Sequence, residues 1–479
     1  MDIQLKKLDN CRWLIPKTGR MRVPGLIFSN EYLLKDIRND QSLVQVCNVA
    51  TMPGIVRYSM AMPDMHWGYG FPIGGVAAFD ADDGVISPGG VGYDINCGCR
   101  LMTTMLHATD LRDVMQSLVS ELFKNIPTGL GSRGSVRLSK KDQDRVAVEG
   151  AAWAVKNGYG EPGDLDRIED RGTMQGADPS VVSERARKRG IDQLGTLGSG
   201  NHFLELQVVD TIYDRQKAHA FGLFEGQFTV FIHSGSRGYG HQICDDFLKE
   251  MGNTFPADSM QLPDRQLICA PLSSDLGRRY FSGMACAANY AWANRQILMH
   301  WTGEVLQRAL GITPREFGMH LLYDVCHNIA KLEQHTVDGR SKTLCIHRKG
   351  ATRAFPPGHP QLPEVYRATG QPVLIPGDMG THSYVLAGAE TAMQHSFGST
   401  CHGAGRVLSR SKAVKLSKGR SIHRELEDKG IFVQSRGKKT LKEEMPDAYK
   451  DVSQVVGVVH EAGLATKVAR LRPLGVIKG

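Results

Sequence analysis

The sequence predicts an α+β protein, a single large mixed α/β domain spanning residues 1–479. Three observations carry this. Short apolar runs end in glycine-rich turns: FLELQVV follows GTLGSGNH, and FTVFIH precedes SGSRGYGH. Their length and bounds are those of strands. Stretches of helical periodicity lie between and beyond them. No linker and no internal repeat divides the chain, and its 53 glycines are spread through the loops.

In chain order, TDLRDVMQSLVSELFKNIP carries apolar residues at 111, 114, 115, 118, 119, 122 and 123, the spacing of an amphipathic helix. Asp110 is its expected cap and Pro127 its stop. Residues 128–180 show no clear period and are expected to be irregular, an insertion or a lid. The two strands at 203–209 and 228–233 come next, then a long helix around 280–310 that ends in ANRQILMHWTGEVLQRAL. Residues 355–372 read as a second irregular segment.

Composition narrows the function classes. A chain 41% hydrophobic and 23% charged is ordinary for a globular protein. No apolar run is long enough to cross a bilayer, and the N-terminal MDIQLKKLDNCRWLIPKTGRM lacks the apolar core of a secretory signal. A cytoplasmic protein without membrane contact is expected. Its ten cysteines form no disulfide framework, and they are expected to be reduced, buried or metal-bound. Between Arg406 and Thr440 stand 11 Lys plus Arg against 3 Asp plus Glu, which leaves 47 of each sign in the rest. The whole net charge of +8 therefore lies in one segment. Such a stripe suits a polyphosphate or nucleic-acid backbone as readily as it suits a solvated face.

Chemistry-bearing side chains recur at the glycine-rich turns. GGVGYDINCGCR sets Asp94 three residues before Cys97, with Cys99 beyond. Asn201 and His202 lie in GSGNHFLEL, His233 and Arg237 in FIHSGSRGYGH, and His327 in DVCHNIA. His402 stands in STCHGAGR ahead of Arg406 and Arg410, and Asp64 and His66 stand in MPDMHWGYG. Singly, a histidine at a strand end is a hydrogen-bonded structural residue, a cysteine a small buried hydrophobe. No C-x-x-C pair and no HExxH is present. The recurrence is what points to a shared metal site, with Cys97 able to bridge two ions. Cys and His ligation favours Zn²⁺, while the carboxylate and phosphoryl chemistry admit Mn²⁺.

Nine stretches, in order, carry a resemblance: DMHWGYGFPIGGVAA, GGVGYDINCGCR, GTLGSGNHFLEL, HSGSRGYGHQ, DVCHNIAK, RKGATRAFPPG, MGTHSYVLAG, STCHGAGR and RPLGVIKG. Together they resemble the RtcB family of RNA-splicing ligases, from about residue 22 to the last residue. The resemblance implies a single mixed α/β domain of the RtcB type with a deep active-site cleft. It implies joining of an RNA 2′,3′-cyclic phosphate or 3′-phosphate end to a 5′-hydroxyl end, with GTP and two Mn²⁺, through a covalent His–GMP intermediate and an activated RNA 3′ end. The RNA would be split tRNA exons or cleaved RNA under repair. Part of the family depends on an archease-type activator, and a monomer is the default.

Carried over by position, the resemblance makes His402 the nucleophile and Asp94, Cys97, His202, His233 and His327 the metal ligands. It assigns GTP to Asn201, Glu205, Ser383, Gly405, Tyr449 and Lys478, with Glu205 and Lys478 on the guanine edge and Tyr449 stacked on the base. It assigns RNA or GTP phosphates to Arg189, Arg237, Lys349, Arg406 and Arg410, where guanidinium forks suit phosphate oxygens. One departure stands out: PGDMGT carries Asp378 where many relatives have serine, and an aspartate there repels phosphate unless a cation or hydroxyl meets it. His382 in the same loop has no assigned role. Two rivals differ in what they require. A metal-dependent phosphodiesterase would need the metal cluster but not His402, Glu205 or Lys478. A non-catalytic RNA-binding protein would need only the basic segment.

Overall fold

Apolar runs pair into two large sheets, which the computed structural model describes with the rest of residues 3–256 and 260–479. The first has seven strands in the order Lys6–Lys7, Arg12–Ile15, Gly25–Phe28, Ile55–His66, Ile73–Asp80, Arg340–Lys349 and Asn328–Val337. The second runs His320–Cys326, Gly98–His107, Gln227–Ser234, Phe203–Ile212, Ala465–Lys478, Ser383–Gly388 and Pro372–Ile375. Phe432–Ser435 adds an eighth strand parallel to Ala465–Lys478. The two expected strands are neighbours at its centre, and Gln227–Ser234 is buried along its whole length, its polar Gln227, Thr229, His233 and Ser234 included.

Register gathers the chemistry at one sheet end. Phe203 lies opposite His233, His233 opposite Cys99, and Gly98 opposite Cys326. His202, Cys97 and His327 each flank one of these positions, so four distant segments converge. His327 is also the single residue between the last position of one sheet and Asn328, the first of the other. The cleft therefore opens where the sheets meet.

The helix Asp275–Leu310 supports that end from behind. Ser274 caps it by accepting from Gly277 N, Asp275 favours its positive end, and Gly311 closes it at φ +68°. The run GMACAANYAWAN is buried along its whole length, from its alanines to Tyr290 and Trp292. The largest core cluster forms around it.

Two expectations are corrected. The helix expected from Asp110 begins as a 3₁₀ segment, Ala108–Val114, and becomes α-helical only over Met115–Asn125; Asp110 lies inside the tighter turns and caps nothing. Residues 128–180 are no loose insertion, because Lys140–Glu149 and Ala151–Lys156 are helices packed on the long helix. KKDQDRVAVE buries only Gln143, Val146 and Ala147, too narrow an apolar stripe to register as a period. Residues 355–372 are largely irregular, with one 3₁₀ turn at Glu364–Tyr366. All ten cysteines lack a disulfide, and no described helix is long and apolar enough to cross a membrane.

Candidate active site and metal centre

The turn that carries Asp94 and Cys97 is tight: Cys97 N donates to Asp94 O at 3.0 Å, and Asn96 takes a left-handed φ of +53°. Asparagine tolerates that region better than most residues. The glycine that follows serves a different end. A Cβ on Gly98 would stand 2.5 Å from Val325 O and 3.1 Å from the Arg295 guanidinium, so Gly98 is there for close approach.

Two donor groups share one thiol. Asp94, Cys97 and His202 form one, and Cys97, His233 and His327 the other, with all ligand atoms of each group within 4.8 Å of one another. Cys97 Sγ lies 3.4 Å from His202 Nε2 and 3.2 Å from His233 Nε2. His233 Nε2 and His327 Nε2 are 3.2 Å apart, and Asp94 Oδ2 is 2.7 Å from His202 Nε2. Burial pushes His233 and His327 well below the usual imidazole value, which leaves them neutral with a lone pair for a metal. Burial and then Asp94 push the Cys97 thiol well above its usual value, so a cation must displace a proton to use it. Burial works against the Asp94 charge, but His202 and Arg237 outweigh it and hold the carboxyl low. Two donor groups that share one thiol, one with a carboxylate and an imidazole and the other with two imidazoles, fit two divalent ions.

A buried guanidinium holds these segments in place. Arg295 Nη1 donates to Asn96 O at 2.7 Å and Ser234 O at 2.9 Å, and Nη2 donates to Asn96 Oδ1 at 3.0 Å. Its Nε and Nη2 grip Asp324, each at 2.8 Å. One side chain on the long helix thus ties the neighbours of Cys97 and His233 to the strand that leads to His327.

His402 follows the strand Ser399–Cys401 and meets Asp64, which lies on Ile55–His66. Asp64 Oδ2 accepts from His402 Nδ1 at 2.5 Å, from His402 N at 2.9 Å and from Gly403 N at 3.3 Å. Burial opposes ionisation of Asp64, yet the hydrogen bonds it accepts from His402 hold its carboxyl below the ordinary value. An oxygen that accepts from two backbone N–H groups takes the third proton as well, which puts it on Nδ1 and leaves Nε2 with its lone pair. The His402 ring is 4.9 Å from that of His327, so His402 borders the donor cluster. Gly405, at φ +74°, passes directly over the Asp64 carbonyl, where any side chain would collide.

Both groups face a cavity of about 390 Å³. Asn201, Glu205, Lys349, Gly405, Arg406, Arg410, Tyr449 and Lys478 line it with them. Glu205 and Lys478 are both buried; burial raises the one and lowers the other, so each is pushed toward its neutral form. Gln207 Nε2 links Glu205 Oε2 at 2.8 Å to Ser383 Oγ at 3.1 Å, which puts Ser383 behind Glu205 and outside the lining. Tyr449 donates to Glu444, and Glu444 also accepts from Arg406 at 3.1 Å and Arg410 at 3.3 Å. The Arg406 guanidinium lies 5.0 Å over the Tyr449 ring. Lys349 Nζ donates to Phe71 O at 3.2 Å and Gly89 O at 2.9 Å, and burial pushes it down to about 7.

The remaining positions lie elsewhere. Arg237 backs His202, its Nη1 3.5 Å from His202 Nδ1, and stands outside the lining. Arg189 is exposed and donates to Gln242 at 2.9 Å. Asp378 does line the cavity, but its carboxylate is taken up by Gly380 N at 2.8 Å and Thr381 Oγ1 at 2.7 Å, and burial raises its pKa, which eases the expected repulsion. His382 turns away to Asp210, 3.4 Å distant. Sequence reasoning named Asp64 without a role and missed Glu444, Arg295 and Gln207. Only Asp64 carried a signal, its place in MPDMH; the others sit in stretches with no motif.

A family model described as tRNA-splicing ligase RtcB matches residues 45–479. The protein named tRNA-splicing ligase RtcB from Thermococcus kodakarensis is 54% identical over 478 residues, covering 100% of this chain and 99% of its own. Its namesake from Archaeoglobus fulgidus is 54% identical over 477 residues, 99% of both chains. That from Methanococcus maripaludis is 52% identical over 459 residues, 96% of this chain and 95% of its own.

Proposed function

The chain belongs to the RtcB family of tRNA-splicing ligases, and from that premise we propose that it is an RNA ligase that joins 2′,3′-cyclic phosphate or 3′-phosphate ends to 5′-hydroxyl ends at the expense of GTP. The observation that carries this reading is the Asp64–His402 pair beside the donor cluster. A phosphodiesterase built on the same donors would have no need of the buried Glu205 and Lys478 that line the same cavity.

In this reading His402 Nε2 attacks the α-phosphorus of GTP. The N–P bond forms, the bond to the β-phosphate oxygen breaks, and pyrophosphate leaves. Asp64 compensates the positive charge that develops on the ring. Glu205 accepts from the guanine N1 and N2 donors, Lys478 donates to O6, and Tyr449 stacks on the base while Glu444 fixes its hydroxyl. Water opens a cyclic phosphate to a 3′-phosphate, whose oxygen takes GMP from His402. The 5′-hydroxyl then attacks that 3′-phosphorus, a phosphodiester forms, and GMP departs. Arg406 and Arg410 orient the phosphates. Asp94, Cys97, His202, His233 and His327 would hold two Mn²⁺, which when bound supply positive charge to phosphate oxygens and acidify an attacking hydroxyl.

The test is incubation with Mn²⁺ and α-labelled GTP. Acid-labile, alkali-stable label on the denatured chain, absent from His402→Ala, is the expected result. An unlabelled wild type would overturn the nucleotidyl-transfer step and return the donor cluster to phosphodiester cleavage.

A further inference from the structure

An RNA end presented to His402 must be held beyond its reacting phosphate, and one outlet of the cleft has the chemistry to hold a base. Trp67 follows His66 at the cleft lip and is 62% exposed, with no stacking ring among the described residues. So large an exposed aromatic invites an explanation when it stands beside a reaction centre. It lines a separate cavity of about 470 Å³ that shares His66, Ile73, Arg406 and Arg410 with the reaction cleft. The wall beyond Arg410 carries exposed Lys412, and Glu444 is the one carboxylate that Arg406 and Arg410 share, so this wall keeps a net positive charge. Asp36 and Asp40 also line it, and their negative charge turns phosphates toward the arginines and Lys412.

An exposed ring beside a row of cations is the recurring arrangement for single-stranded nucleic acid: the ring takes a base, the cations track the phosphates. We propose that this groove binds the single-stranded run adjoining one of the two RNA ends, with Trp67 stacked on a base and Arg406, Arg410 and Lys412 following its backbone. The identity of the strand as RNA rests on the ligase reading above; the groove itself does not. The ring would make the grip tolerant of sequence, since every base offers a face.

The experiment measures the anisotropy of two labelled single-stranded RNAs, one ending in a 3′-phosphate and one beginning with a 5′-hydroxyl. Wild type, Trp67→Ala and Trp67→Phe are compared with Mn²⁺ present and GTP absent. Trp67→Ala should weaken one of the two RNAs by about five- to 150-fold, the range of a lost base stack, and Trp67→Phe should recover most of it. Equal affinity of wild type and Trp67→Ala for both RNAs would overturn the proposal, as would a wild type that binds neither. GMP labelling of the wild type separates the two readings. A Trp67 effect without labelling leaves the groove and removes the ligase; labelling without a Trp67 effect does the reverse.

Discussion

Substitution of Asp64 gives a graded test of how the nucleophile is prepared. Asp64 Oδ2 accepts three hydrogen bonds, at 2.5, 2.9 and 3.3 Å, while Oδ1 is buried without a partner. Asparagine can keep a carbonyl oxygen at the Oδ2 position, so it retains all three acceptor contacts and loses only the charge. A hydrogen bond to a charged group contributes about 1.5–3 kcal/mol and a neutral one about 0.5–1.5, so Asp64→Asn forfeits about 1–1.5 kcal/mol. That slows guanylylation about five- to 13-fold. Asp64→Ala removes the acceptor altogether and frees the ring to carry its proton on Nε2, where it cannot attack. The loss rises to about 1.5–3 kcal/mol, or about 13- to 160-fold. The readout is the single-turnover rate of label transfer from α-labelled GTP, without RNA. Circular dichroism checks the fold, because Lys450 is buried nearby and loses the favourable charge of Asp64 in both variants. An alanine variant as fast as wild type, or an asparagine variant slower than alanine, would refute the reasoning.

Further outcomes follow from the same geometry. Cys97→Ser removes the donor shared by both metal groups, so both ions should bind at least about tenfold more weakly by calorimetry; one ion held at wild-type affinity would contradict a bridging thiolate. Wild-type metal affinity should rise with pH, by about tenfold per unit while one thiol proton is displaced, and a flat profile would exclude the thiolate as ligand. Glu205 is raised by burial, so between the ordinary carboxylate range and that raised value the folded chain binds more protons than the unfolded one. Its contribution to stability is therefore lost as pH rises through that window. Urea midpoints should show this for wild type and not for Glu205→Gln, and parallel profiles would argue against it. Glu444→Gln should cost about 1–3 kcal/mol in urea unfolding and raise the KM for GTP, since it loosens Tyr449, Arg406 and Arg410 together; an unchanged KM would detach Tyr449 from nucleotide binding.

Much was legible in the chain because it was local. The central strands announced themselves as short apolar runs bounded by glycine-rich turns, and the long helix by the stretch that ends in ANRQILMHWTGEVLQRAL. The donor residues stood in motifs long enough to be specific. What failed were segments whose pattern tertiary contacts override: Lys140–Glu149 reads as polar but needs only a narrow stripe to lie on the long helix, and the turns before Met115 tighten to 3₁₀. The resemblance assigned Arg189 and Ser383 by position, yet one is exposed and the other stands behind Glu205.

The sequence by itself determined which side chains are available for chemistry and which stretches become strand or helix, since both depend on residues within a few positions of each other. Only the tertiary structure decided what they do to one another. Asp64 and His402 are 338 positions apart, and Arg295 reaches Asn96 across 199. Strand register and a buried charge network set those meetings. The Asp64–His402 hydrogen bond, the shared thiol and the neutral imidazoles all follow from burial and proximity, which no local pattern encodes.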